Sequence, residues 1–300
     1  MKNKKLWLVI GCILLALAIG ALVWTLATPK NDAKPAATEE PAATEEPAAT
    51  EAPAADAAAE ETMDVLAQIK ERGKLVIAME GVWQPWTYHD ADGNLTGFDY
   101  EVGKLLAEGL GVEAEFVETA WDGILAGVDS GRFDIACNGV GLTEERQKSY
   151  NFSDIYIYSQ MALVVREDNE DIKSVEDLKG KKTANSPNST YATVAEKAGA
   201  EVTYVDTLGE TMSLLTDGRI DATLNDKDSV ESYMSEHPEA KIRIALTVAG
   251  EPVAVPMRKG AESDSLKAEL DRIFSEARDS GKLAELSVKY FGVDLTKPLE

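Results

Sequence analysis

Arg146 is the residue with the plainest chemical opportunity. It follows Thr143-Glu144-Glu145, where the threonine suits an N-cap and the two acids suit the first turn of a helix. Helix starts carry free backbone N–H groups and disfavour cations. An arginine there therefore points to a small anion such as a carboxylate, held between the guanidinium fork and those N–H groups; the bland alternative is a solvated helix charge. Asn188-Ser189-Thr190 opens another short helix, which is a second set of free N–H groups or simply an ordinary cap. Asp226 closes a strand that is otherwise largely apolar, and its carboxylate either caps the following turn or waits for a cation. Trp83, Trp86 and Trp121 begin or interrupt loops rather than continue apolar stripes. Such aromatics either wall a small-ligand pocket or fill core.

Other chemistries find no support in the residues. Gly139-Val-Gly-Leu-Thr-Glu144 lacks the third glycine of a dinucleotide loop, Gly180-Lys-Lys-Thr183 lacks the upstream glycine of a phosphate loop, and no Gly-x-Ser-x-Gly occurs. With two histidines and two cysteines, Cys12 and Cys137, none near another, neither an ordinary zinc site nor an intrachain disulfide is expected. Cys137 reads as an inert buried strand residue. No cofactor is expected. The formal net charge of -23 leaves no basic excess to neutralise phosphates, which argues against nucleic acid as a partner.

The elements that must position these residues follow from periodicity. Val65, Leu66, Ile69 and Lys70 sit at helical spacing and Gly73 ends that helix; Lys74–Met79 reads as a short buried strand. A loop from Glu80 to Trp86 and the turn Asp92-Gly93-Asn94 come next. Phe98, Val102, Leu105, Leu106 and Leu110 mark one helix face, and Glu113–Glu118 a strand before Trp121. Strands alternating with helices of this length imply parallel sheets. Tyr158–Val165 is a β-prone run suited to crossing between lobes, with the return crossing near Thr247–Pro252. Val253–Arg258 then reads as one strand, followed by helices stopped by Gly281 and ending at Tyr290.

An internal echo carries further. Gly131-Arg-Phe-Asp-Ile-Ala-Cys-Asn138 and Gly218-Arg-Ile-Asp-Ala-Thr-Leu-Asn225 each follow a helix and end a strand in asparagine. Two similar lobes result. Ligands of open α/β sheets bind beyond the carboxyl ends of the strands, so Asn138-Gly139 and Asn225-Asp226 are expected at one cleft between the lobes.

Ahead of the lobes lies a basic start, MKNKK, and an apolar run from Leu6 to Ala27. That run exceeds the roughly 7–15 residues of a signal core and matches the ~20 needed to span a bilayer. Retention as an anchor is the favoured outcome; cleavage after Ala27 and lipidation at Cys12, preceded by Val9-Ile10-Gly11, remain open. All three place the remainder outside the cytoplasm. The following stretch repeats Pro-Ala-Ala-Thr-Glu-Glu from Pro35 and from Pro41 and should stay solvated and extended. The expected division is thus 1–28 membrane segment, 29–62 disordered linker, 63–158 with 248–300 as lobe 1, and 159–247 as lobe 2.

Several pieces in order resemble the extracytoplasmic solute-binding proteins for polar amino acids that feed ABC importers. They are Gly97-Phe-Asp99, Trp121-Asp-Gly, Gly131-Arg-Phe-Asp134, Leu142-Thr-Glu-Glu-Arg146, Asn151-Phe-Ser-Asp154, Asp177-Leu-Lys-Gly-Lys181, Gly218-Arg-Ile-Asp-Ala222 and Tyr290-Phe-Gly292. The resemblance implies an α/β fold of the periplasmic-binding-protein type II, two doubly wound lobes joined by two hinge strands and closing over one amino acid. It implies that Arg146 grips the ligand α-carboxylate with backbone N–H groups at Gly141 and Thr190, and that Asp226 and the Gly139 carbonyl hold the α-ammonium. Trp121 would lie over the aliphatic part, and Glu80 and Trp83 would contact the side chain. Asn138, Val140 and Ser189 complete the expected ligand-binding set. Gly141 departs from the many relatives with Ser or Thr there, which removes a hydroxyl contact to the ammonium.

The segments around Glu80-Gly81, Trp121-Asp-Gly-Ile-Leu-Ala126, Val140-Gly-Leu-Thr143 and Ala222-Thr-Leu-Asn-Asp226 look most like the cystine-binding branch. The expected partners are accordingly an amino acid, cystine favoured, and an ABC permease, the protein itself being a monomer. Two other readings stay in view. One is an enzyme on the same scaffold, of the cyclohexadienyl-dehydratase kind, for which Glu80 is the first-loop acid or base. The other is an extracellular amino-acid sensor, disfavoured because the chain ends eight residues after Gly292 without a second span or kinase.

Overall fold

The computed structural model describes residues 63–298. The expected membrane segment and linker lie outside them, and among the described residues no helix is long and apolar enough to cross a membrane. Helix α1 (Val65–Arg72) buries Val65 and Ile69; Asp64 caps its start by accepting from Ala67 N at 2.8 Å. It leads into strand β1 (Lys74–Met79), a short hairpin of β2 (Tyr88–His89) and β3 (Leu95–Thr96), then α2 (Phe98–Leu110) and β4 (Glu113–Glu118). Next come α3 (Trp121–Asp129), β5 (Ile135–Ala136), α4 (Glu144–Ser149) and β6 (Tyr150–Phe152).

The long strand β7 (Ile157–Arg166) carries the chain into a second sheet, built with β8 (Lys182–Asn185), α5 (Thr190–Lys197), β9 (Glu201–Tyr204), α6 (Leu208–Thr216), β10 (Ala222–Asp226) and α7 (Lys227–Glu236). Strand β11 (Ile242–Val253) returns, and β12 (Pro256–Arg258), α8 (Asp264–Asp279) and α9 (Lys282–Phe291) follow. The strand orders are β4-β1-β5-β12-β6 and β11-β7-β10-β8-β9.

Each sheet is covered on both faces. On the first, Val102, Leu106, Leu270 and Phe274 of α2 and α8 pack on one side, while Ile124 and Val128 of α3 meet Phe133 and Phe152 on the other. Burying a residue such as Ile124 or Phe274 completely contributes about 1.5–3 kcal/mol. On the second sheet Leu178 and Ala195 cover one face, and Met212, Leu215 and Val230 the other.

Two expectations need correction. The sheets are mixed rather than parallel: β12 runs antiparallel to β5 and β6, and β7 antiparallel to β10 and β11. Only strands joined by helical crossovers must lie parallel. A chain that leaves on β7 and comes back on β11 sets those two strands in opposite directions. Second, Val253–Arg258 is not one strand. Val253 pairs with Ile157 in the second sheet and Met257 with Ile135 in the first, so the backbone changes sheets through Ala254 and Val255.

The echo has a common physical cause. Asp134 N donates to Val76 O while Val76 N donates to Asp134 Oδ2; Asp221 N donates to Lys182 O while Lys182 N donates to Asp221 Oδ2. In both cases the aspartate closes a two-bond ring with a residue of the neighbouring strand, Val76 of β1 or Lys182 of β8, and so sets the register of the strand that follows it.

Candidate functional site

Strand ends and helix starts from both sheets converge on one cavity. From the first sheet come Glu80 and Trp83 in the loop after β1, Asn138 and Gly139 after β5, Trp121 at the start of α3, and Arg146 in α4. The second sheet contributes Ser189, Thr190 and Tyr191 at the start of α5, Asn225 near the end of β10, and Asp206, Thr207 and Leu208 at the start of α6.

Local hydrogen bonds hold the walls in place. Thr143 caps α4 by accepting from Arg146 N at 3.1 Å, and Ser189 caps α5 by accepting from Ala192 N at 3.0 Å. Asn138 accepts from Glu80 N at 2.8 Å and donates to Glu80 Oε2 at 2.7 Å, which ties the first loop to the end of β5. Beneath them the buried Asp99 accepts from Gly139 N and, at 2.8 Å, from the Tyr156 hydroxyl. Gly139 has φ 56°, and a Cβ there would stand 2.7 Å from the Trp83 ring, so no larger residue fits this turn.

The two walls also touch. Trp83 Nε1 donates to Asn225 Oδ1 at 3.2 Å, Trp121 Nε1 to Pro187 O at 3.0 Å, and Arg146 Nη2 to Asn188 O at 3.1 Å. The Arg146 guanidinium also lies 5.2 Å from the Trp121 ring centre and donates to Gly141 O at 3.0 Å. These contacts join residues 42 to 142 positions apart and close the cleft.

Buried charge dominates the electrostatics. Burial pushes the Glu80 carboxyl up to about 7, opposed by its bond from Asn138. Burial, reinforced by the Asp228 charge, likewise raises Asp226 to about 7, and burial does the same to Asp99. Burial lowers the Arg146 pKa. Burial, reinforced by the Asp226 charge, raises the Tyr191 hydroxyl well above its ordinary value. Asp226 Oδ1 caps α7 by accepting from Ser229 N at 3.0 Å, but Asp226 Oδ2 is buried without a partner. The Trp86 indole N–H lies near enough to favour the charged Asp226, yet Trp86 Nε1 is also unpartnered. A buried acceptor left in this state is a place where an ammonium would be stabilised. The capping alternative for Asp226 is met by Oδ1, and Oδ2 is left over.

Of the residues singled out from sequence, Glu80, Trp83, Trp121, Asn138, Gly139, Arg146, Ser189 and Thr190 line the cavity. Gly141 faces a second cavity instead, and Asp226 is fully buried just behind Asn225. Val140 is not on the wall: its side chain is buried among Ile124, Val128 and Phe152, and its carbonyl accepts from Ala254 N. Trp86 is core, stacked on Trp83 at 5.4 Å and edge-on to Phe98. Ser186, Tyr191, Asp206, Thr207 and Leu208 were not anticipated. The capping box Thr207-Leu-Gly-Glu210, present in the structure, is the sequence signal that marks the helix start carrying Asp206, Thr207 and Leu208. Among the described residues no group of three His, Cys, Asp or Glu is placed to hold a metal ion.

Comparison with known proteins accords with this geometry. Residues 75–293 match the family described as bacterial extracellular solute-binding proteins, family 3. The L-cystine-binding protein of Bacillus subtilis (strain 168) is 39% identical over 237 residues, 78% of this chain and 87% of that one. An ancestral arginine-binding protein bound to arginine superposes with a TM-score of 0.69 at 35% identity, covering 74% of this chain and 99% of that one. The L-cystine solute receptor of Neisseria gonorrhoeae, unliganded and open, is 37% identical, covering 78% of this chain and 99% of that one, but superposes at only 0.53. Greater sequence identity with a poorer superposition sets the lobes here nearer the ligand-bound arrangement than the open one, as the cross-cleft hydrogen bonds do.

Proposed function

Because the chain belongs to the bacterial extracellular solute-binding proteins, family 3, we propose that it is the substrate-binding component of an amino-acid ABC importer. It takes cystine or another polar amino acid between its two lobes and delivers it to a membrane permease. One observation carries this reading: the Arg146 guanidinium lines one wall of the cavity, and the fully buried Asp226 carboxylate, with one oxygen unpartnered, lies just behind Asn225 on the other. That arrangement complements a zwitterion. Arg146 would turn from Gly141 O and Asn188 O to the ligand α-carboxylate, with N–H groups at Thr190 and Gly141 helping, and Asp226 with the Gly139 carbonyl would take the α-ammonium. Charge-assisted hydrogen bonds contribute roughly 1.5–3 kcal/mol each, enough to hold a small polar ligand without much apolar contact. Trp121 and Trp83 would flank the side chain, with Glu80 and Asn138 at its end and Ser189 supporting the α5 start.

The cystine-binding relative favours cystine, and the protein would work outside the cytoplasm, tethered through residues 6–27. Glu80 is held by Asn138 rather than free to shuttle a proton, which favours a carrier over an enzyme on this scaffold. Calorimetric titration of the full chain in detergent against the amino acids and cystine tests the reading. Saturable heat with cystine or another polar amino acid is expected. No heat with any of them, or turnover of a bound acid, would overturn it.

A further inference from the structure

On the hinge side of the ligand cavity lies a second one of about 110 Å³, which shares Gly139, Thr190 and Tyr191 with the first. Missing side chains make the room. A Cβ on Gly141 would stand 2.8 Å from Glu251 Cβ and 3.5 Å from Arg146 Nη1, and one on Gly250 would stand 2.3 Å from Ser159 Oγ. The hinge strand is irregular at this point: Ala249 faces Gln160 and Pro252 faces Tyr158, so three steps on β11 match two on β7. An extra residue in one strand takes a side chain out of the regular alternation, and such bulges re-aim side chains beside functional sites.

Here the bulge sets Glu251 at the cavity opposite Ser159. Ser159 Oγ donates to Glu251 O at 3.0 Å, which leaves the hydroxyl oxygen free to accept. Among the described residues Glu251 makes no ion pair, although its charge is felt by Arg146. An uncommitted carboxylate and a hydroxyl acceptor border a polar space that shares Gly139, Thr190 and Tyr191 with the ligand cavity.

We infer that this cavity is a second head-group subsite, in which Glu251 and Ser159 hold the far ammonium of a two-headed amino acid whose near end sits on Arg146 and Asp226. The ligand class is the diamino dicarboxylic acids, cystine and its thioether analogues among them. Their two α-carbons lie about 5.5 Å apart across a disulfide, so the two head groups need separate places in the site. Gly141 then has a positive purpose, since a side chain there would strike Glu251 at the wall of the second cavity. The inference rests on the amino-acid-binding reading above.

Titration of the full chain and of Glu251→Gln with cystine, cystathionine and the single-headed S-methylcysteine separates the two. Glutamine keeps the shape and hydrogen-bonding reach of the side chain but removes its charge. Loss of about 10- to 100-fold in affinity for cystine and cystathionine is expected from one charge-assisted contact, with S-methylcysteine changed less than threefold. Equal loss for all three ligands, or no loss for the two-headed pair, would overturn the inference and leave the proposed function standing. Failure of the unaltered chain to bind any amino acid would overturn both. Ser159→Ala should show the same selectivity at smaller size, and selectivity absent from both variants counts against the subsite.

Discussion

Asp226→Asn is expected to raise stability and lower affinity at the same time. The Asp226 side chain is fully buried, with Oδ1 engaged by Ser229 N and Oδ2 without a partner. Asparagine keeps an oxygen for the helix cap, where it ranks with aspartate, and removes the charge. With the carboxyl raised from 3.8 to about 7, charging it in the folded state costs about 4 kcal/mol at 1.36 kcal/mol per pKa unit. The direction follows from linkage: a carboxyl whose folded pKa is raised supports the fold fully below its unfolded value and loses that support as pH climbs through the folded one. The gain in the variant should therefore be near zero at pH 4 and reach a few kcal/mol at pH 8. Its affinity for an α-ammonium should fall about 10- to 150-fold, the equivalent of the 1.5–3 kcal/mol of a charge-assisted bond. Urea denaturation at the two pH values and calorimetric titration at pH 8 measure both. A variant less stable than the parent at pH 8, or one that binds equally well, would refute the assignment of Oδ2 to the ammonium.

Three further outcomes follow from the same geometry. Arg146→Ala should weaken binding by at least 100-fold in titration, since a guanidinium fork makes two charge-assisted bonds to a carboxylate, while its circular dichroism spectrum stays that of the parent. The ligand-free full chain should lose thermal stability as pH rises from about 4 to about 7, because burial raises Glu80, Asp99 and Asp226 alike to about 7; saturating ligand should flatten the upper part of that profile, and a melting temperature that climbs over this range would contradict the assignment. Trp121→Phe and Trp83→Phe each remove one cross-cleft donor, to Pro187 O and Asn225 Oδ1 respectively. Combined, they should shift the ligand-free population toward an open form, seen in solution scattering as a larger radius of gyration that ligand restores.

Local sequence signals located most of the elements and several walls of the site. The cap at Thr143, the start at Ser189 and the glycine stop at Gly73 are chemistry within four residues, and each stands where its residues say. The two Arg-x-Asp segments are likewise local, and their repetition is enough to imply repeated βα units. Strand direction was harder: Tyr158–Val165 and Thr247–Pro252 are recognisable as crossing segments, yet nothing in their composition says that they pair antiparallel with each other or that Val253 and Met257 belong to different sheets.

Residue types and spacing by themselves determined the α/β elements, the paired strand ends at Asn138 and Asn225, and the placing of Arg146 and Asp226 at points where charge is useful. Tertiary structure alone decided that Val140 is core, that Tyr191 and Asp206 to Leu208 share the wall, and that Asp226 keeps one oxygen unpartnered. It also set Glu251 beside Gly141 through a bulge in the hinge strand. The reason is range. A cap or an amphipathic face is a matter of a few neighbouring residues, whereas burial of a carboxylate and the lining of a cavity depend on groups more than a hundred residues apart being brought together by the fold.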